Sequence, residues 1–97
     1  MASGGNDILT PLMVYWQKFN PAEFKFEFDE AELAGHAVSV DEAFEVFWNG
    51  FQVRRNKRYH GGYQIIGYTD SGRELKLIVY EKRKGLIRVI TGWDYDD

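Results

Sequence analysis

The clearest pattern in the chain is Phe24-Lys25-Phe26-Glu27-Phe28, where apolar and charged side chains alternate. A period of two places three Phe on one face and predicts a strand with one buried side. Upstream, Leu12, Met13, Trp16 and Phe19 recur near a period of 3.6 behind Thr10-Pro11. Thr can cap free N–H groups, and Pro at the first helical position loses no hydrogen bond. Residues 11–19 therefore predict a short amphipathic helix, ended by Asn20-Pro21 because the residue before Pro is pushed out of the helical region. Asp29 with Glu32 fits a capping-box variant that opens a very short helix, which Gly35 closes. Ser39 and Glu42 repeat the box for a helix over 40–48, with Val40, Ala43, Phe44, Phe47 and Trp48 on its buried side. Asn49-Gly50 stops it.

Beyond residue 50 the period changes to two. Phe51 to Arg55 predicts a strand, followed by a basic turn through Arg58. Tyr63 to Thr69 predicts another, ended by the turn signal Asp70-Ser71-Gly72. Glu74 to Glu81 alternates, with Leu75, Leu77 and Val79 on one face and Lys76, Ile78 and Tyr80 on the other. Lys84-Gly85 turns the chain into a last strand, Leu86 to Thr91. The expected class is α+β, with short helices packed on one face of an antiparallel β-sheet meander and an extra N-terminal helix. With 97 residues the chain has room for one core. Residues 1–7 read as a flexible start, 8–20 as a helical extension and 24–93 as the core of a single domain.

Composition narrows the chemistry. Apolar residues make up 44% and aromatics 16%, too rich for a disordered segment. Cysteine is absent, which removes disulfides, thiolate nucleophiles and Cys-based zinc sites. No metal-ligand spacing or phosphate-binding glycine loop is present, so no metal and no cofactor is expected. No apolar run approaches a membrane span and no signal peptide is visible, so a cytoplasmic protein without membrane contact is the expectation. The net charge of −3 hides an asymmetry: residues 1–50 carry two basic side chains against nine acids, whereas 51–93 carry ten against three. A basic half of this kind suits an anionic partner such as RNA, unless its Lys and Arg only solubilise exposed strands.

Several words of the sequence, in order, resemble the BrnT-type toxins of bacterial type II toxin–antitoxin systems, which are RelE-like in fold. Phe26-Glu27-Phe28-Asp29 is similar to the family's opening F-E-W-D, and His36-Ala37-Val38-Ser39-Val40-Asp41-Glu42-Ala43 to its H-G-V-S-F-E-E-A. Ile66-Gly67-Tyr68-Thr69, Gly72-Arg73, Leu77-Ile78-Val79-Tyr80 and Ile87-Arg88-Val89-Ile90-Thr91 follow its meander words I-G-x-T, G-R, L-x-V-V-Y and I-R-I-I-S. The resemblance spans residues 24–93. There are departures. Asp29 and His36 stand about one helical turn closer together than in the family. Gly61-Gly62 replaces a Glu-Arg pair, Lys82 stands where the family has Glu, and Gly92-Trp93 replaces the Ala-Arg that closes its last word. The family's basic C-terminal helix has no counterpart in the acidic residues 94–97, and the family lacks a helix 11–19.

The resemblance implies a metal-independent endoribonuclease, in which the 2′-hydroxyl of RNA attacks the neighbouring phosphate, held in check by a protein antitoxin. Such chemistry needs a proton acceptor and cations over the pentavalent centre. The resemblance carries Arg83 and Arg88 over as the catalytic cations. His60, set among cations that should keep it neutral, and His36 are the candidate bases, although a His at a helix junction also serves to tie down backbone. Arg54, Arg55, Lys57, Arg58, Lys76 and Lys82 are candidate phosphate contacts, and Tyr59, Tyr63, Tyr68 and Tyr80 could stack on bases or pack inward. The departures predict weak or lost activity. Three readings follow: a small ribonuclease, an interaction module that keeps the fold without the activity, and a homodimer joined through helix 11–19.

Overall fold

A computed structural model describes residues 15–58 and 61–96. The elements are β1 (Lys25–Phe28), α1 (Glu30–Gly35), α2 (Val40–Val46), β2 (Phe51–Arg55), β3 (Tyr63–Tyr68), β4 (Glu74–Arg83) and β5 (Leu86–Asp94). They form one five-stranded sheet in the order β1-β5-β4-β3-β2. Strands β2 to β5 pair antiparallel, as the alternating second half predicts. The first strand departs from a purely antiparallel meander. It lies parallel to β5, with Phe26 opposite Ile87 and Phe28 opposite Val89, which makes the sheet mixed. Burial explains the placement, because Phe26 and Phe28 of β1, with Phe24 just before it, pack against the core.

Capping decides where the helices begin. Asp29 accepts a hydrogen bond from the Glu32 N–H at 3.1 Å and opens α1. Ser39 and Glu42 form the full reciprocal box that opens α2. The helix α1 runs to Gly35, but the residue that turns left-handed behind it is Ala37, at φ 58°. Helix α2 buries Ala43, Val46 and Phe47, while Phe44 and Trp48 are 40% and 51% exposed. The predicted stripe was therefore rotated: Val46 belongs to it, and Phe44 and Trp48 lie along its border. Leu33 of α1 joins Ala43, Val46 and Phe47 over Ile65, Leu75, Leu77, Val79, Ile87 and Val89, so both helices cover the same sheet face.

The predicted helix 11–19 does not form in its described part; residues 11–14 lie outside the described residues. Trp16–Lys18 and Pro21–Glu23 are 3-10 turns with extended Phe19 and Asn20 between them. Asn20-Pro21, which predicted a stop, starts the second turn, with the Asn20 side chain accepting from the Ala22 N–H at 3.1 Å. Packing overrides helical periodicity here. Trp16 stacks on Tyr63 with ring centroids 4.5 Å apart. Phe19 sits among Phe24, Phe26, Phe47 and Phe51 at 5.1 to 6.4 Å. Both rings are partly buried against the molecule's own core. No helix among the described residues is long and apolar enough to cross a membrane.

Candidate functional site

Both described helices pack on one face, and the register leaves the other sheet face with a different set of side chains. Reading across it, β2 contributes Gln52 and Arg54, β3 Gln64, Ile66 and Tyr68, and β4 Glu74, Lys76, Ile78 and Tyr80. Strand β5 adds Arg88 and Trp93, and β1 adds Glu27. Ile66 and Ile78 are buried even there. This face and its ends carry most of the cations that the sequence marks as candidates, and it sorts them into three groups.

The first group lies at the β1–β5 side. Arg88 directs its guanidinium at the Glu27 carboxylate, and its second nitrogen lies 3.3 Å from Asp29. The Lys82 ammonium meets both Glu27 oxygens at 3.1 Å. The hydrogen bond from Lys82, with the charge of Arg88 beside it, holds the Glu27 carboxyl below its ordinary pKa. The basic half is therefore interrupted: an acid from the negative half reaches across and pairs with Arg88, one of the two candidate catalytic cations. Arg83 is separate. It is exposed at the β4–β5 turn, beside Glu23 and Lys25.

The second group lies at the far end of β2. Arg54, Arg55, Lys57 and Arg58 line an open groove of about 520 Å³ with Asn56 and Gln64. The sequence places four cations in five positions, and buried Asn56 gives them a defined backbone. Its N–H donates to the Gly62 carbonyl at 3.0 Å and its side chain accepts from the Arg58 N–H at 3.2 Å. None of these four side chains joins an ion pair among the described residues. Arg54 on β2 and Arg88 on β5 are three strands apart, about 14 Å at the usual spacing.

The third group is central. Lys76 holds its ammonium 5.4 Å from the centre of the Tyr95 ring. A groove of about 340 Å³ next to it is lined by Gln52, Arg54, Ile66, Tyr68, Glu74 and Tyr95, among others. Tyr68 is 49% exposed there, whereas Tyr63 turns inward to Trp16. Glu74 and Tyr95 were not foreseen as site residues. Tyr95 reaches the site because its N–H donates to the Glu74 carbonyl across the strand pair, at 3.1 Å.

His36 is not brought to any of these groups. His36 caps the end of α1 with its ring 5.7 Å from Trp93, about 10 Å along the chain axis from Asp29 and its Arg88 partner. His60 lies outside the described residues, as does Tyr59. Arg73 has a structural task. It binds Asp94 at 2.6 and 3.2 Å, Glu42 at 3.0 Å and the Ala37 carbonyl at 2.8 Å, tying the α1–α2 junction to β5. Its guanidinium holds the Asp94 carboxyl below the ordinary range. The Glu42 carboxyl is lowered first by the Ser39 N–H and then by Arg73. Among the described residues, no group of three or more His, Cys, Asp or Glu side chains could hold a metal ion.

The fold and site together define an α+β protein with a five-stranded mixed sheet, one face of which is covered by helices and the other lined with cations and aromatics. Comparison with protein-family models, with curated proteins and with solved structures gives no match.

Proposed function

We propose that the protein binds single-stranded RNA through the basic groove at the end of β2 and does not cleave it at the rate of a toxin ribonuclease. The observation that carries this reading is the unequal state of the cations. Arg54, Arg55, Lys57 and Arg58 share one groove with no carboxylate partner among the described residues. Arg88 and Lys82 already hold Glu27 and Asp29. A free guanidinium offers a planar fork to phosphate oxygens. One occupied by two carboxylates must give them up first, and catalysis depends on donors already aimed at the developing charge. The sequence resemblance to BrnT-type toxins supports RNA as the anion. The departures from that family, Lys82 and Trp93 among them, agree with binding that has outlived cleavage.

The test uses the full chain and a fluorescein-labelled single-stranded RNA. Binding is expected by anisotropy, and Arg55→Ala/Arg58→Ala should weaken it. RNA integrity on a denaturing gel should show cleavage that is weak or absent. Rapid cleavage that disappears in Arg83→Ala/Arg88→Ala would overturn the reading in favour of an intact ribonuclease.

A further inference from the structure

We infer that the groove over β2, β3 and β4 is a pocket for one guanine base of a bound strand, an inference that rests on the RNA-binding reading above. Arg54 lines both this groove and the basic one, so the two adjoin at that side chain, and a strand whose phosphates lie on Arg55 to Arg58 has its next base beside it. The volume of about 340 Å³ is at the small end for ligand sites and suits a single base better than a larger ligand.

Tyr68 is half exposed and lines the groove together with Tyr95 and the buried Ile66. Aromatic faces stack on any base and keep it from water. The backbone that carries Tyr68 is held before anything binds. The Asn49 amide donates to the Tyr68 carbonyl at 3.0 Å and to the Asp70 carboxylate at 2.8 Å, and the Glu45 carboxylate accepts from the Asp70 N–H at 3.0 Å. Tyr95 is pinned by its own N–H and by Lys76 beside its ring.

Glu74 lies directly across from Tyr68 in the β3–β4 register. Its side chain is half-buried and makes no hydrogen bond or ion pair with the described residues. A carboxylate is acceptor-only and is best satisfied by two adjacent N–H donors. Guanine presents such a pair, N1–H and the N2 amino group. Uracil presents one donor flanked by carbonyl oxygens, and adenine and cytosine each set an acceptor ring nitrogen beside their amino group. These oppose the Glu74 oxygens with lone pairs.

Anisotropy with labelled U8 and with the same octamer carrying one central G, A or C tests this. The G octamer is expected to bind about tenfold more tightly than U8, and the A and C octamers less than that. Glu74→Gln keeps the shape but puts a donor among the acceptors, so the G-to-U affinity ratio should fall towards one. Tyr68→Ala should weaken all four octamers, because stacking is tolerant of sequence. Amide NMR shifts on adding guanosine monophosphate should centre on Tyr68 and Glu74 and be smaller with adenosine monophosphate. RNA binding without a preference for G, or a preference that survives Glu74→Gln, overturns the pocket and leaves the basic groove standing. No binding of any octamer overturns the pocket together with the reading it rests on.

Discussion

Removing cations from the basic groove should change how RNA binding responds to salt, and the structure sets the size of the change. Each phosphate contact to a single strand releases counterions and adds about −0.7 to the slope of log K against log salt. Four cations with no ion pair among the described residues line the groove, so the expected slope is about −3, and affinity should fall about 50-fold between 50 and 200 mM salt. Arg55→Ala/Arg58→Ala removes two of them and should halve the slope to about −1.4, leaving a fall of about sevenfold over the same range. Lys82→Ala is the contrasting variant. Its ammonium is already spent on Glu27 at 3.1 Å, so the slope should stay near −3. The assay is anisotropy of labelled U8 at five salt concentrations, with melting curves to confirm that each variant is folded. An unchanged slope in the groove variant, or one lowered as much by Lys82→Ala, would refute the division of cations into free and neutralised. A flat salt response in the parent protein would refute phosphate binding altogether.

Three further outcomes test the fold that holds the site. Phe47, 2% exposed between α2 and the sheet, should cost about 3–5 kcal/mol when changed to Ala; Phe44→Ala should cost under about 2 kcal/mol, and equal urea midpoints for the two would show that the buried stripe of α2 is wrong. A Cβ on Gly92 would lie 2.5 Å from Leu77 Cδ2 and 3.2 Å from Leu33 Cδ2, so Gly92→Ala should destabilise by about 1–3 kcal/mol and Leu77→Val should restore part of it; a neutral Gly92→Ala would count against this packing. The Asp94 and Glu42 carboxyls both titrate below their ordinary values when folded. Their contribution is thus complete above about pH 5 and lost as pH falls through the folded values, below about pH 4. Arg73→Met should flatten that acid limb in melting temperature between pH 6 and 3, and an unchanged limb would separate Arg73 from the effect.

Much of the fold was legible because its signals are local. Strand β1 follows from five alternating residues, and α2 starts where Ser39 and Glu42 can reach each other's backbone. The Asp70-Ser71-Gly72 and Lys84-Gly85 turns follow from glycines that take φ of 92° and 84°. The N-terminal helix was misread for a complementary reason. A spacing near 3.6 shows which residues share a side of a helix if one forms, but the aromatic partners of Trp16 and Phe19 lie on strands far along the chain, and reaching them favours two tight turns.

The sequence by itself determined which cations, aromatics and acids are available and which strand face each would take, since alternation is a property of the backbone. It also determined the cluster from Arg54 to Arg58, whose members are neighbours in the chain. Tertiary structure alone decided which charges remain free. Arg88 meets Glu27 across 61 residues because β1 lies parallel beside β5, and no local pattern encodes that pairing. It also decided that Tyr95 and Glu74 share a groove with Arg54, which depends on the order and register of four strands. Stacking needs ring contact and exposed charges are screened beyond about 8 Å at physiological salt, so the side chains that act together are set by the fold's long-range contacts, not by spacing along the chain.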